Sequence, residues 1–251
     1  MTEGRVVAIV QARMRSTRLP GKVLMDIEGE RMLAWVLERV HLAERVDDVV
    51  VATTMHPSDE AIVEFCRRRD YAFQRGDATD VLDRYWETAN AFNAELIVRI
   101  TADCPLIDPG LIDKTIEALL STDPPADFAT NRLPWERTYP IGLDVEACTH
   151  DALQAAWTQA EEPHQREHVM PYLYEHPHVF KVVLVNAEED YGDLRWTVDT
   201  PEDLRFIREI AKRLPNRSDF SWRDVLTILD ENPHLAEINA GVQHKTHRDV
   251  G

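Results

Sequence analysis

Four cationic side chains lie close together near the start of the chain, within "ARMRSTRLPGK". They are Arg13, Arg15, Arg18 and Lys22, and they follow the apolar run "VVAIV" at 6–10. We expect that run to be a strand, which places the cations at the strand end where α/β sheets bind ligands. Arginine offers a planar fork for phosphate and lysine a compact charge. The segment predicts a triphosphate-binding loop, in which Arg15 has no assigned role and is expected to be solvated; a solvated basic loop remains the alternative.

This loop does not follow the common glycine-rich phosphate motifs. A Walker A motif would need glycine at Ser16 and serine or threonine at Val23, and the GxGxxG pattern is also missing. Pro20 and Gly21 still allow the backbone to approach an anion closely. The cations, rather than backbone amides, are therefore expected to hold the phosphates.

Two aspartates at later strand ends are candidate metal ligands. Asp103 follows "ELIVRIT" at 95–101, and Asp199 lies in "VDTPEDL". The helices that follow can be capped by Asp108 and by Thr200, so neither Asp103 nor Asp199 is needed for capping. Mg²⁺ favours one or two carboxylates together with substrate phosphates. The pair predicts a Mg²⁺ site, with two solvated loop aspartates as the alternative.

The elements that must position these residues alternate along the chain. Apolar runs of strand length are separated by segments with helical periodicity, one of which spans 109–120. We expect strands at 5–10, 48–53, 71–73, 95–101, 142–148 and 179–185. This order predicts an α/β fold with a Rossmann-like, doubly wound and mostly parallel sheet.

The pattern changes after residue 120, where "STDPPAD" acts as a break. A long loop, "NRLPWERTYPIG" at 131–142, comes next, followed by a strand and two helices. We expect one domain over 1–251, with an inserted substrate or dimer region at 131–175 and a helical C-terminal tail at 214–251.

Composition excludes several classes of protein. The 251 residues include 45 acidic and 28 basic ones, giving a net charge of −17 that repels nucleic acid and anionic membranes. No apolar run approaches the roughly 18 residues of a membrane span, and the N-terminus has no export signal. Cys66, Cys104 and Cys148 are widely spaced, which predicts free thiols and a cytoplasmic protein.

Several segments, taken in order, resemble the cytidylyltransferases that activate acidic sugars, such as the acylneuraminate and deoxy-manno-octulosonate enzymes. They are "VVAIVQARMRSTRLPGKVLMDIEGERMLAWVLERV", "VVVAT", "RGDATDVLDRY", "IVRITADCPLIDP" and "VDTPEDL". Three more segments resemble the spore-coat polysaccharide biosynthesis branch, namely "YPIGLDVEA", "REHVMPYLY" and "ENPHLAEIN". The resemblance implies a nucleotide-diphospho-sugar transferase type of fold, a homodimer, and Mg²⁺-dependent transfer of CMP from CTP to an acidic sugar with release of pyrophosphate.

The resemblance also implies roles for individual residues. Those expected to hold the nucleotide are Ala12, Arg13, Arg18, Lys22, Thr53 and Arg75. Asp103 and Asp199 would coordinate Mg²⁺, and Arg13, Lys22 and Asp103 would act in catalysis.

The acceptor is expected to lie against the middle region. Glu167 and Gly142 match positions near the sugar in the octulosonate enzymes, whereas Thr101 and Thr197 depart from the patterns of the related enzymes. An acidic acceptor needs cations to bind it, and the candidates in this region are Arg132, Arg137 and Arg166. Tyr139 is an aromatic candidate beside them. Packing or a subunit interface is an equal alternative for Tyr139 and Trp135.

Three other functions stay open at this point. "HQREH" at 164–168 fits the HxxEH pattern of inverted zinc peptidases, although no third zinc ligand stands out. A glycosyltransferase that uses a nucleotide-sugar would keep the fold, but such enzymes usually have a DxD motif where "TADCP" offers one aspartate. A catalytically silent nucleotide-binding protein is the third alternative.

Overall fold

A seven-stranded sheet forms the centre of the structure, a computed structural model that describes residues 4–243. The strands, including four in two small hairpins, are β1 (Val6–Gln11), β2 (Asp26–Ile27), β3 (Glu30–Arg31), β4 (Asp48–Thr54), β5 (Ala72–Gly76), β6 (Leu96–Thr101), β7 (Phe128–Thr130), β8 (Arg132–Leu133), β9 (Glu136–Arg137), β10 (Glu146–Thr149) and β11 (Val182–Leu184). The order across the central sheet is β11-β7-β10-β6-β1-β4-β5.

Most neighbouring strands of this sheet are parallel. β1 pairs in parallel with both β4 and β6, and β4 pairs in parallel with β5. β10 runs antiparallel to β6 and to β7, and β11 is parallel to β7. This arrangement confirms the predicted α/β fold with a mostly parallel sheet.

Helices cover both faces of the sheet. They are α1 (Met32–Val40), α2 (Glu60–Arg69), α3 (Val81–Ala91), α4 (Pro109–Leu120), α5 (His150–Gln159), α6 (Pro163–His168), α7 (Pro171–Glu175), α8 (Pro201–Ala211) and α9 (Trp222–Glu231). Alternate residues of β1 enter two cores: Ala8 and Val10 pack with α1, α4 and α8, whereas Val7 and Ile9 pack with α3, α5 and α7. No helix among residues 4–243 is long and apolar enough to cross a membrane.

The two helices that follow the candidate metal ligands are capped by other residues, as predicted. Asp108 accepts a hydrogen bond from the Leu111 amide at the start of α4 (2.9 Å). Thr200 forms a capping box with Asp203 at the start of α8. Asp103 and Asp199 therefore lie in loops with their carboxylates available for other contacts.

The middle of the chain is more regular than its sequence indicates. Residues 131–175, predicted as an inserted region, hold the β8/β9 hairpin and three helices, but they also supply β10 to the central sheet. The single helix expected around 166–174 is two short ones, because Val169 has a φ of 72° and Pro171 cannot continue a preceding helix. The predicted tail contains α9 and a 3₁₀ turn at Pro233–Ile238, and its last residues, 244–251, lie outside the described part.

Candidate active site

A cavity of about 720 Å³ opens at the carboxyl ends of β1 and β6. Its walls are the loop after β1, the loop after β6, the β8/β9 hairpin, the end of α6 and a segment at 190–199. Because β1 and β6 are adjacent and parallel, their following loops meet at one edge of the sheet. Three of the four predicted loop cations line the cavity, namely Arg13, Arg18 and Lys22. Arg15 is exposed, as expected.

The cationic loop is folded back by its own backbone. The amides of Ser16 and Gly21 both donate to the carbonyl of Met14, at 3.1 and 2.8 Å. The Met14 amide in turn donates to the buried carboxylate of Asp59 at 2.8 Å. These bonds turn the chain so that Lys22 begins a 3₁₀ turn at the strand edge, with its side chain pointing inward.

Lys22 lies between the two predicted metal ligands. Its Nζ donates to Asp103 Oδ2 at 2.7 Å, to Asp199 Oδ1 at 2.9 Å and to the carbonyl of Val198 at 2.8 Å. Burial by itself lowers the pKa of Lys22, but attraction and hydrogen bonds from the two carboxylates outweigh it, so the pKa is raised. The structure thus brings these three predicted residues into one cluster.

Asp199 is the most heavily paired acid of this cluster. Besides Lys22, it contacts Arg18 and Arg195 through Oδ2, at 2.9 and 2.7 Å. Burial alone would raise the pKa of Asp199, but Lys22, Arg195 and Arg18 together hold it well below its usual range. Asp199 is therefore a carboxylate throughout the neutral pH range.

A second layer of contacts holds Asp199 in place. Arg195 also donates to both oxygens of Asp203, at 2.9 and 3.0 Å, and Asp203 is fully buried. Asn239 donates to Asp203 and to the carbonyl of Arg195, both at 3.0 Å. Sequence reasoning missed Arg195 and Asn239; the available signal was the regular spacing of Arg195, Asp199 and Asp203.

A row of alternating charges lies beside the cavity, and three of its five members, Arg132, Arg137 and Asp144, line it. Arg99 on β6 forms a buried ion pair with Glu146 on β10, its partner across the two strands. Arg137 pairs with Asp144, with an Nη2–Oδ2 distance of 3.1 Å. Arg132 lies between the two acids, 3.8 Å from Asp144 and 3.9 Å from Glu146, which is too far for hydrogen bonds. Among the described residues of this row, Arg99 and Arg137 are paired with Glu146 and Asp144, and Arg132 lies between the two pairs.

Two buried polar atoms beside this cavity have no hydrogen-bond partner in the described part of the chain. They are Nε of Arg132 and Oε1 of Gln11, and both residues line the cavity. Gln11 ends β1 directly opposite Thr101, on the sheet face that carries Arg99. A buried polar atom without a partner is costly, so each of these two atoms calls for an explanation. Gln11 and Arg132 line the cavity together with Arg137 and Asp144.

A family model described as "Cytidylyltransferase" matches residues 7–221. The chain belongs to the cytidylyltransferase family. The cavity with Lys22, Asp103 and Asp199 is therefore the candidate active site of a cytidylyltransferase.

Two relatives resemble this cytidylyltransferase over nearly its whole length. Uncharacterized protein MJ1063 of Methanocaldococcus jannaschii is 37% identical over 248 residues, 98% of this chain and 99% of the relative. The spore coat polysaccharide biosynthesis protein SpsF of Bacillus subtilis is 31% identical over 238 residues, 92% and 96% of the two chains. A 3-deoxy-manno-octulosonate cytidylyltransferase of Geobacter sulfurreducens is 40% identical, but over only 45% of each chain.

Solved structures agree with these sequence matches. A cytidylyltransferase from Leptospira borgpetersenii superposes with a TM-score of 0.89 at 32% identity, covering 96% of this chain and all of the other. A CMP:2-keto-3-deoxy-manno-octonic acid synthetase solved with CTP superposes with a TM-score of 0.64 at 22% identity, over 84% of this chain and all of the other. The second likeness supports the fold, which is the one that the sequence resemblance implied.

The described part of the cytidylyltransferase does not assemble a zinc-peptidase site. Among residues 4–243, no three His, Cys, Asp or Glu side chains form a metal-binding group. His164 of the HxxEH pattern instead contacts Glu175, with an Nε2–Oε1 distance of 2.7 Å. Glu167 of the same pattern lines the cavity and lies 3.7 Å from Arg13.

The pair Asp103 and Asp199 does fit a divalent cation. Two carboxylate oxygens, one from each aspartate, converge on a single cationic atom, Nζ of Lys22. The other oxygen of Asp103 has a contact with the thiol of Cys104 at 3.6 Å. Two carboxylates beside a cavity open to phosphates are a donor set typical of Mg²⁺.

Three of the predicted acceptor residues lie away from the cavity. Tyr139 is buried in the core, where its hydroxyl accepts from Lys114 at 3.1 Å. Arg166 donates from Nε to Asp80 at 2.9 Å and helps to fix the start of α3. Gly142 allows a close backbone approach, because a Cβ there would lie 2.6 Å from the amide nitrogen of Thr197. In contrast, Arg132, Arg137 and Glu167 do line the cavity.

Three predicted nucleotide contacts also fall outside the cavity lining. Ala12 is buried beneath the loop, and Thr53 is buried at the end of β4. Arg75 on β5 donates to Glu60 at 2.8 Å and to the carbonyl of Thr54 at 3.0 Å. Contacts of these residues with the nucleotide remain predictions from the resemblance.

Proposed function

We propose that this cytidylyltransferase transfers CMP from CTP to an acidic sugar and releases pyrophosphate, in the synthesis of a surface polysaccharide. The observation that carries the proposal is the cluster in which Lys22 joins Asp103 to Asp199 at the mouth of a cationic loop. The names of the relatives support the acceptor class, since they include a polysaccharide biosynthesis protein and octulosonate enzymes.

The triphosphate would lie along the loop after β1. Arg13 and Arg18 reach the cavity from this loop, and Arg18 is already held at Asp199. In nucleotidyl transfer the protein contributes mainly position and charge, because the bond exchange takes place between the substrates. Arg13 and Arg18 would therefore stabilise the negative charge that develops on the departing pyrophosphate.

Asp103 and Asp199 would hold Mg²⁺. When bound, the ion supplies charge neutralisation at the α-phosphate and favours deprotonation of the attacking hydroxyl. Arg195 keeps Asp199 in place from the opposite side, and the amide of Val198 donates to the carbonyl of Asp103 at 2.9 Å. These contacts fix the two carboxylates relative to each other before substrates bind.

The acceptor would occupy the opposite end of the cavity. Arg132 lies 3.8 Å from Asp144 and 3.9 Å from Glu146, and its Nε has no hydrogen-bond partner in the described part of the chain. A sugar carboxylate would supply that partner. Gln11, whose side-chain oxygen is also unpartnered there, would accept from a sugar hydroxyl.

We also propose a cytoplasmic homodimer. Three free and buried cysteines suit a reducing compartment. Trp135, at the tip of the β8/β9 hairpin, keeps 66% of its surface exposed and touches Tyr174 edge-on, so this hairpin is the surface we propose for the partner subunit or the acceptor.

A pyrophosphate-release screen tests the proposal. Four nucleoside triphosphates are combined with a panel of acidic sugars, with and without Mg²⁺ and with no nucleotide-sugar present. We expect release with CTP, Mg²⁺ and an acidic acceptor, and a loss on the order of 10²–10³ in turnover for Lys22→Ala and Asp103→Asn. Arg15→Ala is the control from the same loop. Unchanged turnover in the two site variants would show that the site is wrong.

A further inference from the structure

The ammonium group of Lys22 has no donor left for a phosphate. An ammonium carries three protons, and the three acceptors around Nζ are Asp103, Asp199 and the carbonyl of Val198, at 2.7 to 2.9 Å. The residue is 7% exposed, so solvent contributes little to its coordination. In this arrangement all three protons of Lys22 are donated to the two carboxylates and the carbonyl, so Lys22 cannot bind the triphosphate at the same time.

Among residues 4–243, the charged side chains linked to Lys22 by ion pairs are equal in number for the two signs. Three cationic side chains and three carboxylates make up the connected cluster: Lys22, Arg18, Arg195, Asp103, Asp199 and Asp203. Two carboxylates so close together would repel each other without a cation between them. A divalent cation added to this cluster, with Lys22 still in place, would be repelled by the ammonium and would find the facing carboxylate oxygens occupied.

We propose that Lys22 is a built-in substitute for the divalent cation: it holds Asp103 and Asp199 together in the metal-free enzyme and leaves this position when the cation binds. The inference rests on the metal assignment of the proposed function. Once displaced, the ammonium has donors free at the mouth of the cationic loop. Lys22 then becomes a phosphate ligand only after the metal has arrived, which links assembly of the metal site to binding of the triphosphate.

The first test measures Mn²⁺ binding to the nucleotide-free protein by electron paramagnetic resonance. Wild type is compared with Lys22→Met, which keeps the length of the side chain but removes its charge. We expect Lys22→Met to bind Mn²⁺ at least tenfold more tightly, because the competing cation is gone. Equal or weaker binding by this variant would overturn the proposal.

Arg18→Met is the matched control, since it also removes a cation from Asp199. Arg18 contacts one oxygen of Asp199, Oδ2, and the carbonyl of Gln243, and its side chain is 29% exposed compared with 9% for Lys22. We expect the Mn²⁺ affinity of Arg18→Met to differ from that of wild type by less than threefold. An equal increase in Mn²⁺ affinity in both variants would contradict the proposal, because the loss of any nearby positive charge, rather than the removal of Lys22 from the site, would then explain it.

The second test uses the wild-type chain and does not depend on the folding of a variant. Lysines are acetylated in the presence of increasing Mg²⁺ without nucleotide, and mass spectrometry follows each site. We expect labelling of Lys22 to rise several-fold with Mg²⁺, while Lys212, which is half exposed, stays constant. Persistent protection of Lys22 at a Mg²⁺ concentration that saturates the protein would contradict the proposal. Failure of the pyrophosphate screen would be a separate result, because neither binding test needs turnover.

Discussion

Replacement of Arg195 by methionine tests how the site is held together. Within the described part of the chain, the guanidinium donates three hydrogen bonds to carboxylates, two to Asp203 and one to Asp199. Asp199 keeps Lys22 and Arg18 in the variant. Asp203, which is fully buried, loses the cationic partner that the described residues give it.

The expected loss of stability follows from that unpaired carboxylate. Leaving one member of a buried ion pair alone costs about 3–5 kcal/mol. Asp203 still accepts from Asn239 and from the amides of Asp199 and Thr200, so we expect the lower end, about 3 kcal/mol. For a chain of this size that corresponds to a fall in Tm of about 6–12 °C.

The pH dependence of this loss gives a second, signed prediction. In the wild-type chain burial acts to raise the pKa of Asp203, but Arg195 and Asn239 outweigh it and lower the pKa. A lowered pKa stabilises the fold above the unfolded value of about 3.9, and this stability disappears as the pH falls through the folded pKa. Without Arg195 the pKa of Asp203 rises. The stability difference between wild type and Arg195→Met should therefore narrow as the pH falls below about 4, through the lowered pKa that Asp203 has in the wild-type chain.

Urea denaturation followed by circular dichroism measures both effects, with Arg217→Met as the matched control. Arg217 also holds a carboxylate with two nitrogens, that of Glu38, but its side chain is 40% exposed. Such a surface pair contributes about 0–1 kcal/mol. Equal losses in the two variants, or a difference from wild type that does not change with pH, would refute the account of Arg195.

Three further predictions concern other parts of the molecule. Arg132→Met should raise the KM for the acceptor by about 10–100-fold, since a hydrogen bond to a charged group contributes roughly 1.5–3 kcal/mol, and should leave the KM for CTP unchanged in steady-state kinetics. Gly142→Ala should destabilise the fold by more than about 1 kcal/mol in urea, because its Cβ would lie 2.6 Å from backbone, whereas Gly29→Ala meets nothing within 4 Å and should cost less. The three thiols should not react with Ellman's reagent until the chain is denatured, since all are buried and burial raises the pKa of Cys66 to about 11.

The fold and the meeting of Lys22 with Asp103 and Asp199 at one sheet edge could be predicted from sequence because both depend on local patterns. Apolar runs and helical periodicity identify the order of elements, and parallel pairing brings the ends of β1 and β6 to one edge. Asp103 and Asp199 could be singled out because Asp108 and Thr200 account for the nearby helix caps, as the structure confirms.

The acceptor half could not be predicted in the same way. Arg132 and Arg137 look equivalent in sequence, and only the positions of Asp144 and Glu146 show that Arg137 is bonded to a carboxylate whereas Arg132 lies 3.8 to 3.9 Å from both acids. Tyr139 has the aromatic ring and hydroxyl group that are typical of a binding residue, but it packs against Trp222 in the core. These outcomes depend on tertiary contacts that no local pattern encodes.

Lys22 is a second case in which the sequence predicts where a residue lies but not which groups it contacts. The lysine was expected to bind phosphate, because it ends a cationic loop beside a strand. The structure places it between two carboxylates from distant loops instead, 81 and 177 residues further along the chain. Under the proposal made above, Lys22 binds phosphate only after a metal ion has displaced it from the same carboxylate oxygens.

The most direct test of the central claim is the mass of the product. CTP, Mg²⁺ and the panel of acidic sugars are incubated with the enzyme, and mass spectrometry is combined with measurement of pyrophosphate. The account predicts an acceptor that gains one CMP group for each pyrophosphate released, with no adduct from Asp103→Asn. An adduct formed only from another nucleoside triphosphate, or hydrolysis of CTP without any adduct, would contradict it.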